Sequence, residues 1–136
     1  MDRKDFFKNC VRLAGAGILF PIFGQSCKGI AYISHSTDSK GVFVKKADLA
    51  DHPFVLIHPV NLPAPIFLTK LENNEYSALL LQCTHRACEV RPTGQELQCP
   101  CHGSVFSHTG EVLESPAEHP LRRFQVLEDG DNLYIK

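Results

Sequence analysis

Two short segments of the chain each place one cysteine and one histidine close together. Cys83-Thr84-His85 offers a thiolate and an imidazole, and Cys99-Pro100-Cys101-His102 offers the same two ligand types. Thiolates and neutral imidazoles are ligands for iron and zinc, and two such segments facing each other can enclose a small metal centre. We therefore take Cys83, His85, Cys99 and His102 as the candidate metal ligands.

The mixture of ligand types within each segment favours a [2Fe–2S] cluster. A thiolate pair suits a ferric iron, whereas a neutral imidazole pair suits the iron that takes up the electron. Replacing two thiolates with imidazoles raises the reduction potential to roughly −150 to +300 mV, against about −400 mV for all-cysteine ferredoxins. The alternatives are a zinc site with the same four ligands and two structural disulfides. Zinc sites usually pair ligands of one type, and disulfides leave the histidine spacing unexplained.

The segments on either side of these ligands predict a β scaffold. Four runs rich in branched and aromatic residues precede or reach Cys83 and are predicted strands: residues 41–45, 53–60, 64–70 and 76–83. Asn73-Asn74 and Asp129-Gly130-Asp131 are turn signals, and the second predicts a hairpin that closes a sheet at residues 122–136. We therefore predict an all-β, antiparallel sandwich or barrel-like base. Residues 83–120, rich in Pro and Gly, are predicted loops that form a cluster-binding subdomain on that base.

The length and charge of the chain limit what it can bind. It has 136 residues, which is enough for one small domain but not comfortably for two. Its formal net charge is −1, so no global field favours nucleic acid or an acidic membrane surface. We therefore expect no nucleic-acid partner.

Residues 1–27 have the features of an export or tethering segment. Basic residues precede an apolar run over residues 13–23, whose length suits a signal-peptide core. Residues 3–8 are similar to a twin-arginine export signal with lysine at the second arginine. Cys27 follows Gly24-Gln25-Ser26 and is a candidate lipidation site. Cleavage, acylation and retention as a membrane anchor stay open, and each places the domain outside the cytoplasm.

Residues 28–40 are polar and contain glycine and serine. This composition predicts a linker between the N-terminal segment and a folded domain over residues 41–136. The ligand-bearing subdomain then occupies about residues 83–120 of that domain.

The two ligand segments resemble the cluster loops of Rieske proteins of the cytochrome bc type. The resemblance is carried by residues 83–88 (CTHRAC) and 99–104 (CPCHGS), and it covers the domain more weakly from Gly41 onward. It implies that Cys83 and Cys99 bind one iron and that His85 and His102 bind the other. It also implies a disulfide between Cys88 and Cys101, which Rieske ferredoxins and ring-hydroxylating oxygenases generally lack.

The resemblance also assigns roles to residues around the ligands. Ser104 resembles the family serine that donates a hydrogen bond to a bridging sulfide, which stabilises the reduced cluster. Phe106 stands where bc-type proteins have a tyrosine that donates to a cysteine sulfur, so the potential is expected to be lower than in a tyrosine-bearing relative. Pro116 belongs to a loop similar to Gly-Pro-Ala-Pro that covers the cluster. Arg86-Ala87 stands where the family carries Leu-Gly, and Arg86 could dock an acidic partner or simply be solvated.

The function implied by this resemblance is one-electron transfer as a subunit of an extracytoplasmic respiratory oxidoreductase. The expected partners are redox proteins, either a cytochrome or a catalytic oxidoreductase subunit, and quinol if the complex oxidises quinol. The expected location is the periplasm or the outer face of a bacterial inner membrane. Within the family, the chain resembles the iron-sulfur subunit of ubiquinol-cytochrome c reductase or the small Rieske subunit of arsenite oxidase. The alternatives are a soluble Rieske ferredoxin that supplies an oxygenase and a zinc-binding structural module.

Overall fold

A computed structural model describes residues 29–136, and nearly all of the regular structure in this part of the chain is β. The predicted all-β fold is therefore confirmed. The single helix in this part is α1 (Ala47–Ala50). The strands are β1 (Ser36–Asp38), β2 (Gly41–Lys45), β3 (Phe54–Ile57), β4 (Ile66–Lys70), β5 (Tyr76–Leu80), β6 (Arg91–Thr93), β7 (Glu96–Gln98), β8 (Val105–Phe106), β9 (Val112–Glu114), β10 (Arg123–Phe124), β11 (Val126–Asp129) and β12 (Asn132–Ile135).

The strands form three antiparallel sheets of four strands each. The base sheet has the order β1-β2-β12-β11, the central sheet has the order β10-β5-β4-β3, and the outer sheet has the order β6-β7-β8-β9. The outer sheet is built entirely from the segment that carries the candidate ligands.

The central sheet is buried on both faces and separates two apolar cores. Along β4, Ile66 and Leu68 enter one core, whereas Phe67 enters the other, because successive side chains of a strand point to opposite faces. Ala78 and Leu79 of β5 divide in the same way. The base core lies against the base sheet and includes Val44, Val55, Ile57, Leu133 and Ile135. The outer core lies against the outer sheet and includes Leu81, Cys83, Val90, Leu97, Cys99 and Phe106.

The segment predicted as a linker instead contributes to two sheets. Ile33 donates its backbone N–H to the carbonyl of Leu56, and Leu56 donates its own N–H to the carbonyl of Ala31, at 3.0 and 2.9 Å. These bonds satisfy the open edge of β3, which would otherwise leave unpaired backbone groups. Further along, β1 pairs with β2 in the base sheet. The described part of residues 28–40 is therefore part of the folded domain.

Residues 83–120 also hold more regular structure than the predicted loops. Strands β6 to β9 are only two or three residues long, and Pro92 lies within β6. Proline is tolerated there because β6 is an edge strand of the outer sheet, where a missing N–H costs no ladder bond. These short strands hold the ligand segments at their ends.

Both predicted turns are present. Asn74 has a φ of 65° and closes the connection between β4 and β5. Gly130 has a φ of 58° and lies in the two-residue connection between β11 and β12, where Asp129 pairs with Asn132. No helix among residues 29–136 is long and apolar enough to cross a membrane. The predictions for residues 1–27, including lipidation of Cys27, lie outside the described residues.

Candidate metal centre

The two ligand segments fold into loops with the same backbone pattern. In the first loop, the N–H of Cys83 bonds to the carbonyl of Cys88, and the N–H of Ala87 bonds to the carbonyl of Cys83, both at 2.8 Å. In the second loop, the N–H of Cys99 bonds to the carbonyl of Ser104 at 2.8 Å, and the N–H of Gly103 bonds to the carbonyl of Cys99 at 3.1 Å. Each loop is therefore a tight turn that starts at a cysteine and returns to it.

The fifth residue of each loop has a left-handed backbone. Gly103 has a φ of 82°, and Ala87 has a φ of 57°. Glycine adopts this conformation without steric cost, whereas alanine does so less readily because it carries a Cβ. No local pattern predicted this conformation at Ala87, although the resemblance described above implies a glycine at this position in bc-type proteins.

A disulfide links the two loops. Cys88 and Cys101 are bonded, with their Cα atoms 6.5 Å apart, and the structure thus contains the predicted cross-link. The Sγ atom of Cys99 lies within 4.8 Å of both disulfide sulfurs. Because two of these three sulfurs are already bonded to each other, Cys99 is the member of the group that is free to bind a metal.

Cys83 and Cys99 are the free cysteines among the described residues, and both are buried in the outer core. Burial raises the pKa of the Cys83 thiol, but hydrogen bonds from its surroundings outweigh that effect and lower the pKa below its usual value. The donors are the backbone N–H groups of His85 and Arg86 and the side chains of Cys99 and Ser104. The site therefore favours a thiolate at Cys83, which is the form that binds a metal.

The two candidate imidazoles lie side by side on the exposed side of the loops. The ring centroids of His85 and His102 are 4.9 Å apart, and the rings meet edge to face at 88°. Both residues are exposed, whereas both free thiols are buried. The structure thus places the predicted thiol ligands inside the outer core and the predicted imidazole ligands on its exposed side.

A third loop is bonded to both ligand loops. The buried Ser104 hydroxyl oxygen accepts a hydrogen bond from the N–H of Ala117 at 2.9 Å, and Thr84 donates its hydroxyl to the carbonyl of His119 at 2.6 Å. The half-buried Pro116 follows Ser115 through a cis peptide bond in this loop. Sequence reasoning missed the contacts of Thr84 and Ala117, because residues distant in sequence leave no local pattern.

Two further residues lie close to the site. Phe106 is fully buried in the core that contains Cys83 and Cys99. His108 is half-buried, and its ring lies 4.9 Å from the ring of Phe67. Arg86 is exposed beside His85.

Comparison with known proteins places these features in a family context. The family model described as the Rieske [2Fe-2S] domain matches residues 32–125. The cytochrome b6-f complex iron-sulfur subunit 2 of Trichormus variabilis is 30% identical over 118 residues, which cover 75% of this chain and 66% of that protein. The subunit of the same name from Nostoc sp. is 36% identical over 75 residues, which cover 52% of this chain and 42% of that protein. The chain thus spans less than two thirds of the length of these relatives.

Solved structures share the fold. The plasma membrane Rieske protein PetC3 from Synechocystis PCC 6803 is 30% identical, with a TM-score of 0.58, and the match covers 68% of this chain and 94% of that one. The complex of oxygenase and ferredoxin in carbazole 1,9a-dioxygenase matches at 23% identity with a TM-score of 0.52, covering 68% of this chain and 91% of that chain. The second likeness shows the fold alone.

Proposed function

The chain belongs to the Rieske [2Fe–2S] domain family and is an electron-transfer protein with one such cluster, and we propose that it serves an extracytoplasmic respiratory oxidoreductase. The observation that carries this proposal is the disulfide between Cys88 and Cys101 beside the ligand loops. Such a cross-link persists in oxidising compartments outside the cytoplasm. The family assignment overturns the zinc alternative.

Within this proposal, Cys83 and Cys99 hold one iron, and His85 and His102 hold the other. The donor set fits the cluster, because it supplies two free thiols in contact with each other and two neighbouring imidazoles. When bound, the cluster takes up and releases a single electron at a potential raised by its neutral histidine ligands. The protein around it then has two tasks, which are to set that potential and to present the site to a partner.

The exposed histidines are the side of the site that a partner meets. His85 and His102 are both exposed, whereas the thiol pair is buried behind them. An exposed imidazole nitrogen can accept a hydrogen bond and then a proton from a quinol, which couples proton release to electron transfer. We infer that redox partners dock here, either a cytochrome, a catalytic subunit or a quinol-binding site.

The compartment and the attachment are inferred from the N-terminal sequence and the relatives. Residues 1–27 carry the export or anchor pattern, and the named relatives include subunits of a cytochrome b6-f complex and a plasma membrane Rieske protein. We propose that the domain faces the periplasm or the outer side of the membrane and is exported or tethered there. The soluble ferredoxin alternative is less well supported, because its members generally lack the disulfide.

A redox titration of the full-length chain over a range of pH tests this proposal. We expect a positive reduction potential, in the part of the Rieske range that extends up to roughly +300 mV. This potential should fall as pH rises above neutrality. The fall is expected because, within this proposal, oxidation is coupled to proton release, and such coupling makes the potential depend on pH. His119→Gln is the matched control, since it removes a nearby exposed imidazole that is not a proposed ligand, and it should leave the pH dependence unchanged. A low potential that is flat over this range would support the ferredoxin alternative instead.

A further inference from the structure

The disulfide between the loops lies beside a free thiol that could react with it. The Sγ atoms of Cys88, Cys99 and Cys101 all lie within 4.8 Å of one another, and Cys99 is unbonded. Cys83, the other free cysteine among the described residues, is buried in the same core as Cys99. The two ligand loops therefore hold two oxidised and two reduced sulfurs, and Cys99 is the reduced one that lies beside the disulfide.

We propose that, in the cluster-free protein, Cys99 attacks this disulfide and converts it to a new disulfide that blocks the ligand site. This inference rests on the proposed function, because binding of Cys99 to iron is what prevents the reaction in the loaded protein. Thiol–disulfide exchange needs a thiolate close to a disulfide sulfur and no external oxidant. The free Cys99 and the disulfide already lie close together within the loops, so burial of Cys99 is no obstacle to an intramolecular attack.

The sulfur of Cys88 is the one attacked. A bond forms between the Sγ atoms of Cys99 and Cys88, the bond between Cys88 and Cys101 breaks, and the electron pair leaves on Cys101. The thiol proton of Cys99 passes to solvent, and the Cys101 thiolate takes up a proton, so the chain keeps one disulfide and two thiols. Cys101 is the better leaving group because it is exposed, whereas Cys88 is only partly exposed. Attack on Cys101 would instead close a strained ring across Pro100.

The exchange has a direct consequence for assembly of the site. A chain with Cys99 bonded to Cys88 has lost one proposed iron ligand and cannot take up the cluster until a reductant releases it. The cluster must therefore enter before the exchange occurs, and loss of the cluster outside the cytoplasm is not simply reversed by supplying iron and sulfide.

Disulfide mapping of the cluster-free protein tests this proposal. The full-length chain carries Cys10→Ser and Cys27→Ser, so that only the four loop cysteines remain. Its cluster is removed by chelation without oxygen, and samples taken over hours are blocked with N-ethylmaleimide and mapped by mass spectrometry. We expect a Cys88–Cys99 link to increase as the Cys88–Cys101 link is lost, with Cys101 becoming alkylated. The yield of cluster reconstitution should decrease in parallel and recover after treatment with dithiothreitol.

Two variants serve as controls. Cys99→Ser should keep the Cys88–Cys101 link throughout, whereas Cys83→Ser, which also lacks a proposed ligand, should still exchange. Retention of Cys88–Cys101 with full alkylation of Cys99 in the cluster-free chain would overturn the proposal. The loaded protein gives a separate result: rapid alkylation of Cys83 and Cys99 while the cluster is present would contradict the ligand assignment, not the exchange.

Discussion

Ser104 shows how one residue can connect the parts of this site. Its hydroxyl donates toward the Cys83 sulfur and accepts the N–H of Ala117, so it joins the second ligand loop to the first and third loops. Sequence comparison assigned it a bond to a bridging sulfide, and the described structure adds the contact with Ala117. A residue that is fully buried and makes both bonds affects the electronics and the rigidity of the site together.

We predict that Ser104→Ala lowers the reduction potential by about 40 mV, since a lost donor bond worth about 1 kcal/mol in the reduced state corresponds to that shift. The variant should also lower the free energy of unfolding by about 1–3 kcal/mol, because the N–H of Ala117 loses its buried acceptor. Protein-film voltammetry and denaturant unfolding measure the two effects. Ser104→Thr, which keeps the hydroxyl, is the control for the potential. An unchanged potential in the alanine variant would show that the hydroxyl does not act on the cluster.

Phe106 offers the reverse experiment. Because the ring is buried in the same core as the cysteine thiols, Phe106→Tyr adds a hydroxyl to the core that holds the sulfur acceptors. We predict a rise in potential of about 40 mV, by the same conversion of about 1 kcal/mol for one donor bond. Voltammetry on the wild type and the variant gives the difference. A less stable variant with an unchanged potential would mean that the hydroxyl finds no sulfur and is buried without a partner.

At the scale of elements, the two ligand loops can be compared with each other. They share the bond from the first residue to the sixth and the return bond from the fifth residue, but the fifth residue is Gly103 in one loop and Ala87 in the other. The left-handed backbone at this position is therefore a property of the loop, and Ala87 adopts it at a cost.

We predict that Ala87→Gly raises the free energy of unfolding by about 1 kcal/mol, because the steric cost of a Cβ at positive φ exceeds the extra entropy of glycine in the unfolded chain. Chemical denaturation of the loaded protein measures it. The control is Gly103→Ala, which should be destabilising for the same reason. A destabilised Ala87→Gly variant would contradict the interpretation that the two loops are equivalent.

His108 connects the outer sheet with the central sheet. Its ring packs against Phe67 of β4 and bonds to the backbone of Gly94 in the turn between β6 and β7, while its buried Nε2 has no partner. Burial lowers the pKa of His108, and the bond to the Gly94 carbonyl offsets this only in part. The folded state therefore prefers the neutral ring.

We predict that the free energy of unfolding depends on pH because of His108. Since the folded pKa is lower than the unfolded value of about 6.5, the unfolded chain binds the proton first as pH falls. The contribution of neutral His108 to the free energy of unfolding is therefore complete above about pH 6.5, and it is lost as pH decreases below that value. His108→Phe keeps the ring contact and should show a smaller decrease in unfolding free energy between neutral and mildly acidic pH. Equal decreases in both proteins would show that His108 does not titrate on unfolding.

At the scale of the whole molecule, some of the fold could be predicted from the sequence because its signals are local. The bounds of β2 were predicted correctly, since its branched run ends at polar residues on both sides, and the final hairpin follows from Gly130. The pairing of residues 31–33 with β3 was missed because the edge that it covers is distant in sequence. The outer sheet was missed because its strands have only two or three residues, and one contains Pro92. Strands this short show no recognisable alternation of apolar and polar residues.

The same division applies to the site. The ligand types and the cross-linked pair lie within two short motifs, so residues 83–88 and 99–104 were sufficient to propose them. The separation of a buried thiol pair from an exposed imidazole pair depends on how the loops sit on the outer core, which no motif encodes. The whole domain is therefore needed to decide which ligands meet a partner.

The most direct test of the central claim is pulsed electron paramagnetic resonance on the reduced full-length chain. The claim is that Cys83 and Cys99 hold one iron, whereas His85 and His102 hold the iron that takes the electron. We predict strong coupling of the unpaired spin to nitrogens of two imidazoles, and a change in that coupling in His85→Cys but not in His119→Gln. A reduced spectrum without strongly coupled nitrogen would contradict the assignment of both histidines.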